Sequence, residues 1–128
     1  MTSGWIGVDF DGTLAVHSGI GLSLGAPVPV MVARVKAWLA EGTAVKIFTA
    51  RVASSGLVSE DGTDDGGFAD RQRALIEQWC VRHLGVVLPV TATKDFQMIE
   101  LWDDRAIQVI SNTGLTVAEA LQAEADAR

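Results

Sequence analysis

Two aspartates, separated by a single residue, follow an apolar run near the start of the chain. The run reads WIGV, and Asp9 and Asp11 come after it, with Gly12 and Thr13 next. Two carboxylates at this spacing repel each other and lose solvation unless a positive charge lies between them. A magnesium ion would remove the repulsion, because it prefers carboxylate and carbonyl oxygens as ligands. The spacing therefore predicts a metal-binding pair, with a helix-capping turn as the structural alternative.

Other polar side chains stand at the ends of later apolar runs. Thr49 follows the run AVKIF, Asp103 and Asp104 follow the run MIELW, and Lys94 precedes that last run. In an open parallel sheet, ligands bind outside the carboxyl ends of the strands, so residues at these ends converge. A lysine and a hydroxyl beside clustered carboxylates suit a phosphate group, and an aspartate can act as the nucleophile in phosphoryl transfer. The pattern predicts a site for Mg²⁺ and phosphate at one edge of a sheet.

Short β-branched runs alternate with longer amphipathic runs along the chain. This alternation is typical of an α/β fold with a mostly parallel sheet and helices on both faces. We therefore expect a Rossmann-like three-layer sandwich with a central sheet of about five strands. The runs predict strands at 5–9, 44–48, 86–90, 98–104 and 106–111, and helices at 29–41, 69–84 and 116–127.

The composition bounds the class of protein. The 128 residues fit a single domain, 1–128, and a hydrophobic content of 48% suffices for a core. A net charge of −6 opposes binding to nucleic acids in general and to anionic membranes. The single cysteine, Cys80, and the lack of a signal sequence or membrane-spanning run predict a cytoplasmic protein. Residues 52–69 are acidic and rich in glycine, which predicts a flexible loop or flap.

Four motifs in this chain resemble those of one known family. DFDGT at 9–13 resembles the first motif of the haloacid dehalogenase superfamily of phosphohydrolases, and KIFTAR at 46–51 resembles the second. TKD at 93–95 supplies the lysine of the third motif, and LWDD at 101–104 is similar to the two-aspartate form of the fourth. The motifs occur in the expected order and together span residues 9–104. The chain resembles the small members of this superfamily.

The resemblance implies a catalytic centre built from aspartates. Asp9 would be the nucleophile that forms an aspartyl-phosphate, and Asp11 would be the general acid and base. Mg²⁺ would be bound by the Asp9 carboxylate, the backbone carbonyl of Asp11 and the Asp103 carboxylate. Asp104 would be either a further metal ligand or the carboxylate that orients the lysine.

The resemblance also implies how the substrate is held. Gly12, Thr49 and Lys94 would bind the phosphate, and Arg51 is a candidate contact to the rest of the substrate. Residues 14–28 are too few for the cap domain that many relatives insert after the first motif, so we expect no cap domain. An open site suits a phosphorylated macromolecule as well as a small molecule, or needs a second subunit of a homo-oligomer as a lid.

Two other functions remain open at this stage. Receiver domains also gather aspartates, a hydroxyl and a lysine around Mg²⁺, which makes a phosphoacceptor module the first alternative. However, they place the acidic pair on the first strand and the acceptor on a later one, which is the reverse of the order here. The second alternative is a catalytically silent protein of the same fold that only binds its ligand.

Overall fold

The computed structural model describes residues 3–19, 23–53 and 67–128. A short 3₁₀ helix, Ala50–Val52, follows the second strand. Most of the predicted loop at 52–69 lies outside the described residues. The described part holds four strands and three α-helices: β1 (Trp5–Val8), α1 (Pro29–Ala40), β2 (Ala44–Phe48), α2 (Phe68–Leu84), β3 (Val90–Thr91), β4 (Met98–Trp102) and α3 (Val117–Asp126).

The strands form one open, parallel sheet in the order β3-β2-β1-β4. β1 is paired on both sides, and all four of its residues are buried. Its apolar sequence suits this position, because a central parallel strand has no face left for water. Since all strands run in the same direction, the residues that follow β1, β2 and β4 meet at one edge of the sheet. The expected α/β fold with a parallel sheet is confirmed.

The pairing of β1 with β4 contains one irregularity. Trp5 pairs with Met98, but Ile6 pairs with Glu100, so Ile99 is an extra residue in β4. A bulge of this kind shifts the register of every later pair by one residue. As a result, the last residues of the two strands, Val8 and Trp102, lie opposite each other. Asp9 and Asp103, which follow them, therefore begin at the same position along the sheet.

The hydrophobic core lies on one face of the sheet. Ile6 and Val8 point into it, together with buried side chains of α1 and α2, which also contact each other. α1 begins at Pro29, whose fixed φ suits a first helical turn and whose missing N–H is not needed there. On the opposite face, the Lys46 ammonium lies 4.6 Å from the centroid of the Trp5 ring, a cation–π contact.

Two predicted strands differ from the structure. Of the run at 86–90, only Val90 lies in a strand, the two-residue β3, and the run at 106–111 is not part of the sheet. There the Ile110 N–H donates to the Leu115 carbonyl at 2.8 Å, and the chain reverses through Asn112 at a φ of 66°. The segment thus pairs with the residues that follow it, with one isolated β-bridge. Its backbone groups thus form hydrogen bonds with residues nearby in the chain. The described sheet has four strands rather than five.

A helical layer on the second face of the sheet is not confirmed. α1 and α2 both pack on the core face, and α3 buries none of its residues. α3 begins with a capping box, in which Thr116 and Glu119 each accept a hydrogen bond from the backbone N–H of the other. None of the helices in the described ranges combines the length and apolar character needed to cross a membrane.

Candidate active site

Two loops at the carboxyl edge of the sheet bring three carboxylates together. Asp9 follows β1, whereas Asp103 and Asp104 follow β4. The Asp9 N–H donates to the Trp102 carbonyl at 2.9 Å, which extends the pairing of the two strands to the start of both loops. One carboxylate oxygen from each aspartate lies within 4.8 Å of the others. The structure therefore places side by side three of the four aspartates singled out in the sequence.

The three carboxylates perturb each other. Burial is the largest cause that raises the pKa of Asp9 to about 7, and a hydrogen bond with Asp104 and the charge of Asp103 act in the same direction. The hydrogen bond with Asp9 holds the pKa of Asp104 below its ordinary value. Near pH 7, the protonated and ionised forms of Asp9 are thus about equally populated, and the proton of the first lies in the hydrogen bond with Asp104. A cation among these oxygens would take the place of that proton.

The cluster has the chemistry of a site for a hard cation. Carboxylate oxygens are the ligands that Mg²⁺ and Ca²⁺ prefer, and Mg²⁺ needs one or two of them when a phosphate and waters complete its shell. The raised pKa of Asp9 indicates excess negative charge in a partly dry place, which a divalent ion would neutralise. Asp9, Asp103 and Asp104 therefore fit Mg²⁺.

Gly12 lies close to the side chain of Asp104. Its φ is +85°, and a Cβ at this position would lie 2.6 Å from Asp104 Oδ2. The Gly12 N–H donates to the Ala15 carbonyl at 2.8 Å, within the turn after β1. The Thr13 hydroxyl donates to Asp104 Oδ1 at 3.4 Å. Gly12 thus provides the space in which Asp104 approaches the first loop, and its assignment to the phosphate stays a prediction.

Asp11 and Arg51 form a two-pronged ion pair. Arg51 Nε donates to Asp11 Oδ2 at 2.6 Å, and Arg51 Nη2 donates to Asp11 Oδ1 at 2.8 Å. The Arg51 side chain is 6% exposed and the Asp11 side chain is 19% exposed. Such parallel bonds are stronger and more directional than a single charged hydrogen bond. The guanidinium predicted to contact the substrate is thus already bound to the predicted general acid.

Thr49 directly follows β2 and lines a cleft. Its side chain is buried, and Oγ1 accepts the Arg51 N–H at 3.2 Å, which caps the 3₁₀ helix. The cleft has a volume of about 480 Å³. Among the predicted site residues, it is lined by Asp9, Asp11, Thr49, Arg51 and Asp103.

Lys94 is not one of the residues that line this cleft. It is exposed and lies instead beside a second depression, which it shares with Asp103 and with residues of β4 and the segment after it. Asp103 lines both depressions. The assignment of Lys94 to the phosphate stays a prediction.

Several residues that line the cleft were not predicted from the sequence to belong to a site. Arg105 directly follows the second acidic pair, and Phe48 directly precedes Thr49, so proximity in the sequence was an available signal. Phe68 begins α2, and no local pattern indicated that it reaches the cleft. His17 also lines the cleft, and its Nδ1 accepts the Gly19 N–H at 3.3 Å.

Comparisons with known proteins support the fold, and they give no information about an activity. No family model matches this chain, and none of the curated proteins matches it. The chain is similar to a solved structure described as a conserved protein coded by a locus of Bacteroides thetaiotaomicron. The two share 19% sequence identity, with a TM-score of 0.54 over 97% of this chain and 93% of that one. The α/β fold is therefore shared with a natural protein along nearly the whole length of both chains.

Proposed function

We propose that the protein is a Mg²⁺-dependent phosphomonoester hydrolase that acts through an aspartyl-phosphate on Asp9. The observation that carries the proposal is the cluster of Asp9, Asp103 and Asp104 oxygens within 4.8 Å at the carboxyl edge of the sheet. Bound there, Mg²⁺ would supply the charge that neutralises a phosphate and its developing negative oxygens. The ordered motifs of the sequence support the same assignment.

The reaction would proceed in two displacements. In the first, an Asp9 carboxylate oxygen forms a bond to phosphorus while the ester P–O bond breaks, and Asp11, a carboxylate paired with Arg51, takes up a proton from solvent and passes it to the departing oxygen. In the second, water attacks phosphorus and gives a proton to Asp11, which releases inorganic phosphate and restores the Asp9 carboxylate. Asp11 lies two residues after Asp9 and lines the same cleft, which supports its role in both steps.

The phosphate would be held by uncharged donors and by cations. The Thr49 hydroxyl has one hydrogen to donate while its oxygen accepts the Arg51 N–H. Lys94 would supply a positive charge to the phosphate, and Arg105 lines the cleft as a further cation. We expect these groups to position the phosphate rather than to exchange protons with it.

The substrate class follows from the open cleft. The described residues include no cap domain over the 480 Å³ cleft, so a phosphate on a macromolecule is as acceptable as one on a small molecule. A homo-oligomer that uses a second copy as a lid is the structural alternative. The net charge of −6 disfavours nucleic acids in general, although not a single phosphorylated end.

The test is phosphate release from a panel of phosphomonoesters, phosphopeptides and phosphorylated oligonucleotide ends. Each reaction is run with Mg²⁺ and with EDTA, for the native protein, Asp9→Asn and the control Asp126→Asn. Asp126 is an exposed residue at the end of α3, so its variant changes charge without touching the cleft. We expect turnover that requires Mg²⁺, is lost in Asp9→Asn and persists in Asp126→Asn.

The other outcomes point to different functions. Turnover that survives in Asp9→Asn would exclude Asp9 as the nucleophile. A long-lived phosphoprotein formed from acetyl phosphate, with little release of phosphate, would favour the phosphoacceptor alternative. Binding of Mg²⁺ without turnover on any substrate would favour a silent binding protein.

A further inference from the structure

The Arg51 guanidinium connects three separate segments around the cleft. Besides its two bonds to Asp11, Nη2 donates to the Gly19 carbonyl at 2.7 Å and Nη1 donates to Gln72 Oε1 at 2.8 Å. Gln72 is fully buried in α2, and Gly19 belongs to the loop after β1. The orientation of the guanidinium is thus fixed from both sides. Arg51 therefore has little freedom to turn toward a ligand.

The geometry of the pair constrains Asp11 more than a simple charge contact would. Two parallel bonds fix both the position of the carboxylate and the plane in which its oxygens lie. Each carboxylate oxygen has two lone pairs, so each keeps one after Arg51 is bound. A proton can therefore still pass through Asp11 while Arg51 holds it in place.

We propose that Arg51 is a positioning residue for proton transfer by Asp11. The inference rests on the proposed function, because it assigns a role in the first displacement. In that step, the Asp9–phosphorus bond forms and the ester P–O bond breaks, while Asp11 takes up a proton from solvent on one of its remaining lone pairs and passes it to the departing oxygen. An alkoxide leaves only with that proton, whereas a nitrophenolate leaves without it. Arg51 should therefore matter for alkyl phosphates and much less for aryl phosphates.

A lysine could not perform this function equally well. Its ammonium carries the same charge, but it is a point charge that cannot donate two parallel bonds to one carboxylate. A lysine at position 51 would keep a cation near Asp11 and lose the fixed plane of the carboxylate. Comparison of the lysine variant with an uncharged one therefore separates the effect of orientation from that of charge.

The experiment compares kcat/KM for glycerol 2-phosphate, an alkyl ester, with kcat/KM for p-nitrophenyl phosphate. The proteins are the native enzyme, Arg51→Lys, Arg51→Met and the matched controls Arg82→Lys and Arg82→Met. Arg82 is exposed in the last turn of α2 and does not line the cleft. Since kcat/KM covers the steps up to release of the alcohol, the ratio of the two values reports the acid step.

We expect the alkyl-to-aryl ratio to fall about tenfold or more in both Arg51 variants, as for the loss of part of a general acid's contribution. The ratio should stay within about twofold of the native value in both Arg82 variants. An equal loss for both substrates in folded Arg51→Lys would mean that Arg51 only stabilises the fold, and would overturn the inference. Arg51→Lys keeps the buried charge, so it decides the question if Arg51→Met fails to fold.

The result also separates this inference from the proposed function. If the native enzyme shows no turnover that depends on Asp9, the proposed function fails and the role of Arg51 fails with it. If that turnover is present and the ratio is unchanged in Arg51→Lys, only the role of Arg51 is overturned.

Discussion

Asp104 Oδ2 lies 2.6 Å from the point where a Cβ on Gly12 would be. The two residues belong to loops that follow different strands, and their close approach depends on a residue without a side chain. Gly12 also has a φ of +85°, a conformation that other residues adopt only with strain.

Gly12→Ala should destabilise the protein and weaken its binding of Mg²⁺. The strain alone should cost about 1–2 kcal/mol, and the displaced carboxylate should add to it. Gly42→Ala is a matched control, because Gly42 has a φ of +84° and no atom within 4 Å of a Cβ at that position. Urea unfolding should show a lower free energy of unfolding in both variants, whereas titration with Mg²⁺ should show weaker binding only in Gly12→Ala. Equal Mg²⁺ affinity in the two variants would contradict the prediction.

The stability of the metal-free protein should fall as the pH rises from 5 to 8. The pKa of Asp9 is about 7 in the folded protein, above its ordinary value, so the folded state binds the proton more tightly than the unfolded state in this range. The lowered pKa of Asp104 acts only in more acidic solution, below this window. Thermal unfolding in EDTA at several pH values tests this, and Asp9→Asn should flatten the dependence. An unchanged slope in Asp9→Asn would assign the effect to another group.

Mg²⁺ should raise the melting temperature more at pH 8 than at pH 5. At the lower pH, Asp9 holds its proton and the ion must displace it, so binding contributes less stability. Asp103→Asn and Asp104→Asn should each reduce the Mg²⁺-dependent shift, and the larger reduction identifies the main ligand. Asp126→Asn is the control for loss of one exposed carboxylate. If Mg²⁺ raised the melting temperature of Asp103→Asn and Asp104→Asn as much as that of Asp126→Asn, this cluster would be excluded as the metal site.

Removal of residues 117–128 should have little effect on the isolated domain. α3 buries none of its residues, and its capping box joins Thr116 and Glu119, which are only three positions apart in the chain. We expect the free energy of unfolding to change by no more than about 0.5 kcal/mol, the range of surface changes away from packed features. Unfolding at several protein concentrations tests this. A loss of stability that depends on concentration would show that α3 packs against a second copy.

The positions of the aspartates could be predicted from the sequence because they follow from local patterns. Apolar runs end where polar residues begin, and parallel strands bring such ends to one edge, which places Asp9, Asp103 and Thr49 without further information. The partner of Arg51 could not be predicted in this way. Asp11 is 40 residues away from it, and their contact depends on how two loops pack.

The errors in the predicted fold have a similar cause. The run at 106–111 has the composition of a strand, and composition does not reveal that Ile110 pairs with Leu115 across a tight turn. The space needed by Asp104 likewise could not be inferred from the glycine alone, because many glycines follow strands only to form a turn.

The extra residue in β4 divides that strand into two parts with different tolerance to changes in length. Deletion of Ile99 would remove the bulge and make the pairing of β1 with β4 regular. Val8 would stay opposite Trp102, because the pairs on both sides of the bulge already exist. Loss of Leu101 would instead shorten the strand beyond the bulge, draw Asp103 past the level of Asp9 and reverse the faces of its neighbours. Insertions and deletions before Ile99 can thus accumulate during divergence while the acidic pair keeps its place, whereas the three residues between the bulge and Asp103 must keep their number.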